Sequence, residues 1–124
     1  MTALIHMVQI NNNMQKITWK DFEKIEMRVG TIVNVKDFPK AKVPAYKLLI
    51  NFGDDIGIKH SSAQITDLYQ KEDLIGKQII CVMNFPSKNI AGFDSEVLTT
   101  GFDTDKGVVL AALEQDVENG LRLK

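Results

Sequence analysis

The chain has 124 residues, of which 44% are apolar and 25% charged, the composition of one soluble globular domain and not of a disordered segment. A net charge of -1 excludes a globally basic nucleic-acid binder, and one cysteine, Cys81, excludes an internal disulfide. No apolar run approaches the roughly 20 residues of a membrane helix.

Residues 1–16 keep no steady period, and Asn11-Asn12-Asn13 breaks any element there. We expect residues 1–17 to be a flexible arm and residues 18–124 to be one domain. Met7 and Met14 stand as alternative starts to Met1. The arm lacks the basic start, apolar centre and cleavage site of a secretory signal, so a cytoplasmic location is expected. Thr18 can cap a helix over residues 18–27, with Asp21 completing a capping box. Trp19, Phe22 and Ile25 share one face of it, to pack on the domain or on a partner chain.

Residues 28–35 are β-branched and partly alternating, which predicts a strand. Gly30 within it marks a bulge or a close backbone approach. Pro39 and Pro44 place residues 36–45 in a loop. Residues 46–52 and 56–60 form a hairpin across Gly53-Asp54-Asp55. Ser61 or Ser62 caps a short helix reaching Tyr69, and residues 77–83 are the fourth strand. Residues 84–98 are polar and irregular. The apolar runs 97–100 and 107–113 flank a turn at 101–106, and residues 121–124 are a last short strand. Many short strands, one helix in mid-chain and glycine-marked bends argue for a small barrel, with a β-sandwich as the rival.

Catalytic sets are missing from this pattern. His60 stands beside Ser61 and Ser62, but chain neighbours rarely face each other for proton transfer, and no Gly-x-Ser-x-Gly elbow occurs. His6 lies in the arm. No set of His, Cys and carboxylates has metal-ligand spacing, and no phosphate loop is present. Cys81 sits in an apolar run, as a buried small hydrophobe would. We expect no enzyme, no cofactor and no metal.

Binding residues are easier to find. Arg28, Lys42, Lys47, Lys59 and Lys88 are cations on or beside predicted strands, and Phe85 and Phe93 are aromatics near loops. Ser61, Ser62, Gln64, Asn84 and Ser95 could bond base edges or a peptide backbone. Nucleic acid needs cations for phosphates and flat groups for bases. Charge is also uneven: Lys36, Lys40, Lys42 and Lys47 cluster early, whereas acids dominate from Asp94 onward. These residues make a site only if the fold gathers them on one surface.

Several motifs, in order, resemble the tRNA-binding domain family, an OB-fold. Lys24-Ile25-Glu26-Met27-Arg28-Val29-Gly30-Thr31-Ile32 is similar to its opening strand. Phe38-Pro39-Lys40-Ala41 stands at its His-Pro-x-Ala step. Val43-Pro44-Ala45-Tyr46-Lys47-Leu48 and Gly57-Ile58-Lys59-His60-Ser61-Ser62-Ala63-Gln64-Ile65 resemble the CsaA-type members. Asn84-Phe85-Pro86 and Ser95-Glu96-Val97-Leu98 depart from the wider family's Asn-Leu-Lys-Pro and Ser-x-Gly-Met. The resemblance spans residues 21–124. It implies an all-β, five-stranded OB-fold barrel with a short N-terminal helix, a helix between strands 3 and 4 and a C-terminal β extension. It also implies a homodimer closed by the N-terminal helix and the extension. The expected function is holding unfolded or pre-export polypeptides, with tRNA as a further ligand and the export machinery as a partner. The alternative is a structure-specific tRNA-binding module acting in trans on an RNA-handling enzyme. Loss of the cationic cluster after Asn84, leaving Lys88, and the apolar Phe85, Pro86, Ile90 and Phe93 favour the peptide reading.

Overall fold

The computed structural model describes residues 14–124, so most of the expected arm lies outside the described residues. Thr18 caps α1 (Trp19–Glu23) as expected: its Oγ1 accepts from Asp21 N at 3.1 Å, and its N–H donates to Asp21 Oδ2 at 3.0 Å. The helix is shorter than the sequence suggested. It buries none of its residues, and Trp19 is 64% exposed, so the apolar face of α1 does not pack into the barrel.

Five antiparallel strands form the main sheet in the order β3-β2-β1-β4-β7. They are β1 (Met27–Asp37), β2 (Tyr46–Asn51), β3 (Ile58–Ala63), β4 (Gln78–Val82) and β7 (Leu98–Thr99). The register of β1 slips between Ile32 and Asn34, a bulge that bends the strand. Its first half pairs with β4 and its second half with β2, which lets one sheet curl into a barrel. Ile32, Leu48, Ile50, Phe52, Leu74 and Ile79 are fully buried inside it. Each such side chain contributes roughly 1.5–3 kcal/mol. Burial also pushes the Cys81 thiol up to about 12, against a small opposing effect of Thr99, and an inert core thiol results.

The barrel closes between β3 and the segment ending in β7. Glu96 N donates to the His60 carbonyl at 2.9 Å, Ser62 N to Ser95 Oγ at 2.9 Å, and Ser61 Oγ meets Thr99 Oγ1 at 2.8 Å. This is the five-stranded OB-fold that the resemblance implied, and it rules out the rival β-sandwich.

Three local expectations are corrected. Ser61 and Ser62 cap no helix, because they lie in β3, where Ser61 faces the core and bonds Thr99. The helix between β3 and β4 is instead α2 (Lys71–Leu74), opened by Gln70 N donating to Asp73 Oδ2 at 3.2 Å, and its Leu74 enters the core. Residues 84–98 are not irregular throughout: β5 (Lys88–Ile90) and β6 (Phe93–Ser95) form a hairpin. Its two-residue turn, Ala91-Gly92, has φ of +48° and +86°, a left-handed pair that suits the strand twist. The turn predicted over 101–106 shrinks to Asp105-Lys106, because β8 (Gly101–Thr104) already pairs with β9 (Gly107–Leu110).

The C-terminal segment does not form a regular strand. It straps the open edge of β1 instead. Gly120 N donates to Val29 O at 2.8 Å, Val29 N to Leu121 O at 3.1 Å and Leu123 N to Met27 O at 2.9 Å.

Gly30 is a close-approach position. A Cβ there would lie 2.6 Å from Ile50 Cγ2 and 2.7 Å from Phe52 Cε1. Both neighbours belong to the core and cannot withdraw. Gly30→Ala therefore overpacks the barrel and lowers unfolding stability by about 1–3 kcal/mol, read from urea melts. An unchanged midpoint would show that the barrel has room at this point.

Candidate functional site

The predicted site residues do not converge on one surface. They divide between two surfaces, with three of them engaged in holding the fold. Arg28 pairs with Glu26 at 3.0 Å and donates to the Gly120 carbonyl at 2.6 Å, fixing the C-terminal strap. Asn84 takes Glu26 N on Oδ1 and gives Nδ2 to Lys24 O, at 3.0 and 2.7 Å, fixing the exit of α1. Ser61 is consumed inside the closure. Lys42 is exposed in the loop after β1 and touches neither surface described below.

The first surface is a groove of about 690 Å³. Ser62, Gln64, Phe85, Lys88 and Ser95, all anticipated, line it together with Pro86, Ile90, Leu98, Thr100, Gly101, Asp103 and Val108. Its walls come from β3, the β5–β6 hairpin and the β8–β9 hairpin. Phe85 and Leu98 lie on it 57% and 49% exposed, so apolar area is held in water there without a partner. Leu98 had a sequence signal: in the pair Val97-Leu98 of a strand, alternation buries one and turns the other out. Asp103, Thr100 and Val108 had none, since only the pairing of β8 with β9 brings them to the groove.

The second surface lies across the open face of β1, β2 and β3. Lys47 Nζ stands 4.8 Å from the Phe38 ring centre and 5.5 Å from that of Phe93. The two rings meet edge to face at 5.5 Å, and the His60 ring meets Phe93 at 5.5 Å on its other side. Asn34, Lys36, Leu49 and His60 complete a cleft of about 230 Å³ with Lys47 and Phe93. The Lys47 ammonium is attracted electrostatically to the faces of half-buried Phe93 and buried Phe38. Lys47 is the cation of this set, and Phe93 and His60 are the rings that reach the surface. Lys47 and Phe93 were anticipated, whereas Phe38 is buried beneath them.

Glu96 joins the two surfaces. It lines the groove, and its Oε1 accepts from His60 N at 2.9 Å and meets His60 Nδ1 at 3.0 Å. Lys59 Nζ lies 3.9 Å from Oε2. Partial burial works against ionisation of this carboxyl. The His60 N–H, the His60 ring and the Lys59 ammonium outweigh it and hold the group below its ordinary value of 4.5. Among the described residues, no group of three or more His, Cys, Asp or Glu could hold a metal ion, and no helix is long and apolar enough to cross a membrane.

A carboxyl with a lowered pKa in the folded state stabilises that state most when it is ionised in both states. The contribution of Glu96 is thus full above its ordinary value of 4.5 and lost as pH falls through the lower folded value. Glu96→Gln should lower stability at pH ~7 and flatten the acid side of the stability profile below about pH 4.5. Equal losses in wild type and variant on acidification would remove Glu96 as the clasp.

Comparisons with known proteins agree with this geometry. Residues 27–122 match the family described as "Putative tRNA binding domain". The solved structure of the CsaA chaperone protein from Picrophilus torridus is 53% identical, with a TM-score of 0.83, over 88% of this chain and 100% of that one. Chaperone CsaA from Bacillus anthracis is 43% identical with a TM-score of 0.82, over 89% and 100%. Methionine--tRNA ligase of Methanocaldococcus jannaschii is 31% identical over 90% of this chain, but the chain spans only 17% of that protein's length. The chain belongs to the tRNA-binding domain family of OB-folds and is closely related to its CsaA-type members.

Proposed function

We propose that the protein is a homodimeric, non-enzymatic chaperone that holds unfolded or pre-export polypeptides in the groove. The observation that carries this reading is the apolar lining of that groove, exposed Phe85, Pro86 and Leu98 with half-buried Ile90, facing water in a concave site. Stretches of flexible chain with apolar side chains fit such a lining, and folded proteins hide theirs. The chaperone names of the two CsaA structures point the same way. The reading takes residues 18–124 as one binding domain, the cytoplasm as its location and the export machinery as a partner.

A second ligand, tRNA, is supported by the Lys47–Phe38–Phe93 arrangement and by the family match. With Lys36 and Lys40 close in sequence to Phe38, this face has the cations that phosphates need. The two ligands use different surfaces, so each can be removed separately.

Phe85→Ser should weaken binding of an unfolded polypeptide about tenfold, the effect of losing one buried aromatic anchor, and leave tRNA binding unchanged. Lys47→Glu should do the reverse. Three phosphate contacts would lower tRNA affinity about 20- to 40-fold between about 50 and 200 mM salt, whereas polypeptide binding should barely move. Fluorescence anisotropy with labelled tRNA and with a reduced, alkylated polypeptide reads all four quantities. Loss of both ligands in either variant would mean one shared site and would overturn the two-surface reading.

The dimer is argued from a separate apolar area. Ile17, Trp19, Ile25, Leu121 and Leu123 are all exposed, and Arg122 ties the C-terminal strap to α1 by donating to Glu23 O at 2.7 Å. A twofold contact through this area would bury them. Sedimentation should give twice the 13.9 kDa chain mass for wild type and the single mass for Trp19→Asp with Leu121→Asp. A wild-type monomer would end the dimer proposal.

A further inference from the structure

The groove has a main-chain side as well as an apolar one. In the β8–β9 hairpin, Ala111 N donates to Thr100 O at 3.1 Å, and the paired residues are Phe102 with Val109 and Thr104 with Gly107. Hydrogen-bonded pairs alternate with non-hydrogen-bonded ones along an antiparallel ladder. Gly101 and Asp103 therefore turn their N–H and C=O groups away from β9. Leu110, opposite Gly101, shows the same alternation from the other strand: its N–H points outward and donates to the Tyr69 hydroxyl at 3.1 Å. No backbone hydrogen bond from Gly101 or Asp103 to any other segment occurs among the described residues, and β8 is exposed along its whole length. Both residues line the groove.

We infer that an extended polypeptide binds by adding a strand to the free edge of β8, with its side chains alternating into the groove. This rests on the polypeptide reading above and specifies its mode. Only an extended main chain offers N–H and C=O groups at the spacing of a strand edge, and such addition is a recurrent way to recognise peptides. The space continues beyond the groove. A second depression beyond the groove shares Gln64, Asp103 and Val108 with it and continues past Val43 and Pro44. Charge selects the occupant. With Glu96 offset by Lys59, the groove sets the carboxylate of Asp103 against the ammonium of Lys88, so it has no surplus positive charge for a polyanion and favours a neutral apolar segment. The edge supplies affinity that does not depend on sequence, and the groove supplies the preference for apolar residues.

The test uses the whole protein and a fluorescein-labelled synthetic peptide of alternating leucine and serine with one lysine. Two derivatives carry N-methyl groups, one on the leucines and one on the serines. An added strand bonds through only one of its edges, because successive N–H groups point to opposite sides. One derivative should therefore bind at least tenfold more weakly, and the other within twofold of the parent. Asp103→Pro removes one edge N–H without touching the ladder. Asp103→Ala, which loses the same carboxylate but keeps the N–H, is the reference, and Asp103→Pro should bind the peptide about fivefold more weakly than it. If Asp103→Pro fails to fold, the methylated pair on the wild-type protein still decides. Equal weakening by both methylations would overturn strand addition and leave side-chain burial alone. No binding of the parent peptide would overturn the polypeptide reading and this inference with it. A halved mass for Asp103→Pro in sedimentation would assign the edge to a second copy and overturn the proposal.

Discussion

The surface of this protein depends on how the outer edge of β3 is closed. β3 is the last strand of the five-stranded sheet, and an unpaired strand edge recruits other chains. A full ladder does not close it. The His60 carbonyl accepts Glu96 N, while His60 N and Ser62 N are satisfied by the Glu96 carboxylate and Ser95 Oγ. Side chains thus do part of what a strand would do. The consequence is geometric. The β5–β6 hairpin is not flush with the barrel wall as a sixth strand. It stands as a ridge with an apolar groove on one side and a cation–aromatic cleft on the other.

Glu96 also explains why the cationic side is modest. An ionised carboxylate only accepts hydrogen bonds, and this one is occupied by a backbone N–H, an imidazole and an approaching ammonium. It therefore offsets Lys59 and keeps His60 oriented against Phe93. What remains for an anion is Lys36, Lys47 and the nearby loop lysines. That is a local positive field on a chain whose net charge is -1. A small field set over aromatic rings suits recognition by shape and stacking more than long-range attraction.

The barrel was legible in the sequence because its core signal is local. Residues 46–51 alternate buried and half-buried in strict order, as a strand lining a core should. The Thr18–Asp21 capping box and the close approach at Gly30 were legible for the same reason. What was not legible is non-local. Ser61-Ser62-Ala63 has weak strand propensity and good capping chemistry, and reads as a helix start. Only the arrival of Thr99, 38 residues later, makes a small inward hydroxyl fit the core there. The Ala-Gly turn at residues 91–92 lacks the Asn-Gly or Asp-Gly signature of tight hairpins, so β5 and β6 were hidden. For the site, residue types were readable but their grouping was not. Arg28 and Asn84 have the chemistry of ligand contacts, yet partners 92 and 58 residues away claim them.

The edges of the sheets are treated unequally. The free half of β1 is covered by the C-terminal strap, whose Gly120 sits so close to Phe52 that a Cβ would collide with the Phe52 carbonyl. The edge of β3 is silenced by Ser95 and Glu96. Both devices are local, one a glycine and the other the side chains of two neighbouring residues. β8 has neither, although it is exposed along its length and presents Phe102 at 67% exposure on its outer face. β8 is short and carries one charge, Asp103, but no segment among the described residues covers its edge. Protection is built around two edges of the main sheet, and the edge of β8 is left open beside the apolar groove. That asymmetry fits the proposed holding of flexible chains, because main-chain capture confined to one place keeps the protein from binding copies of itself everywhere.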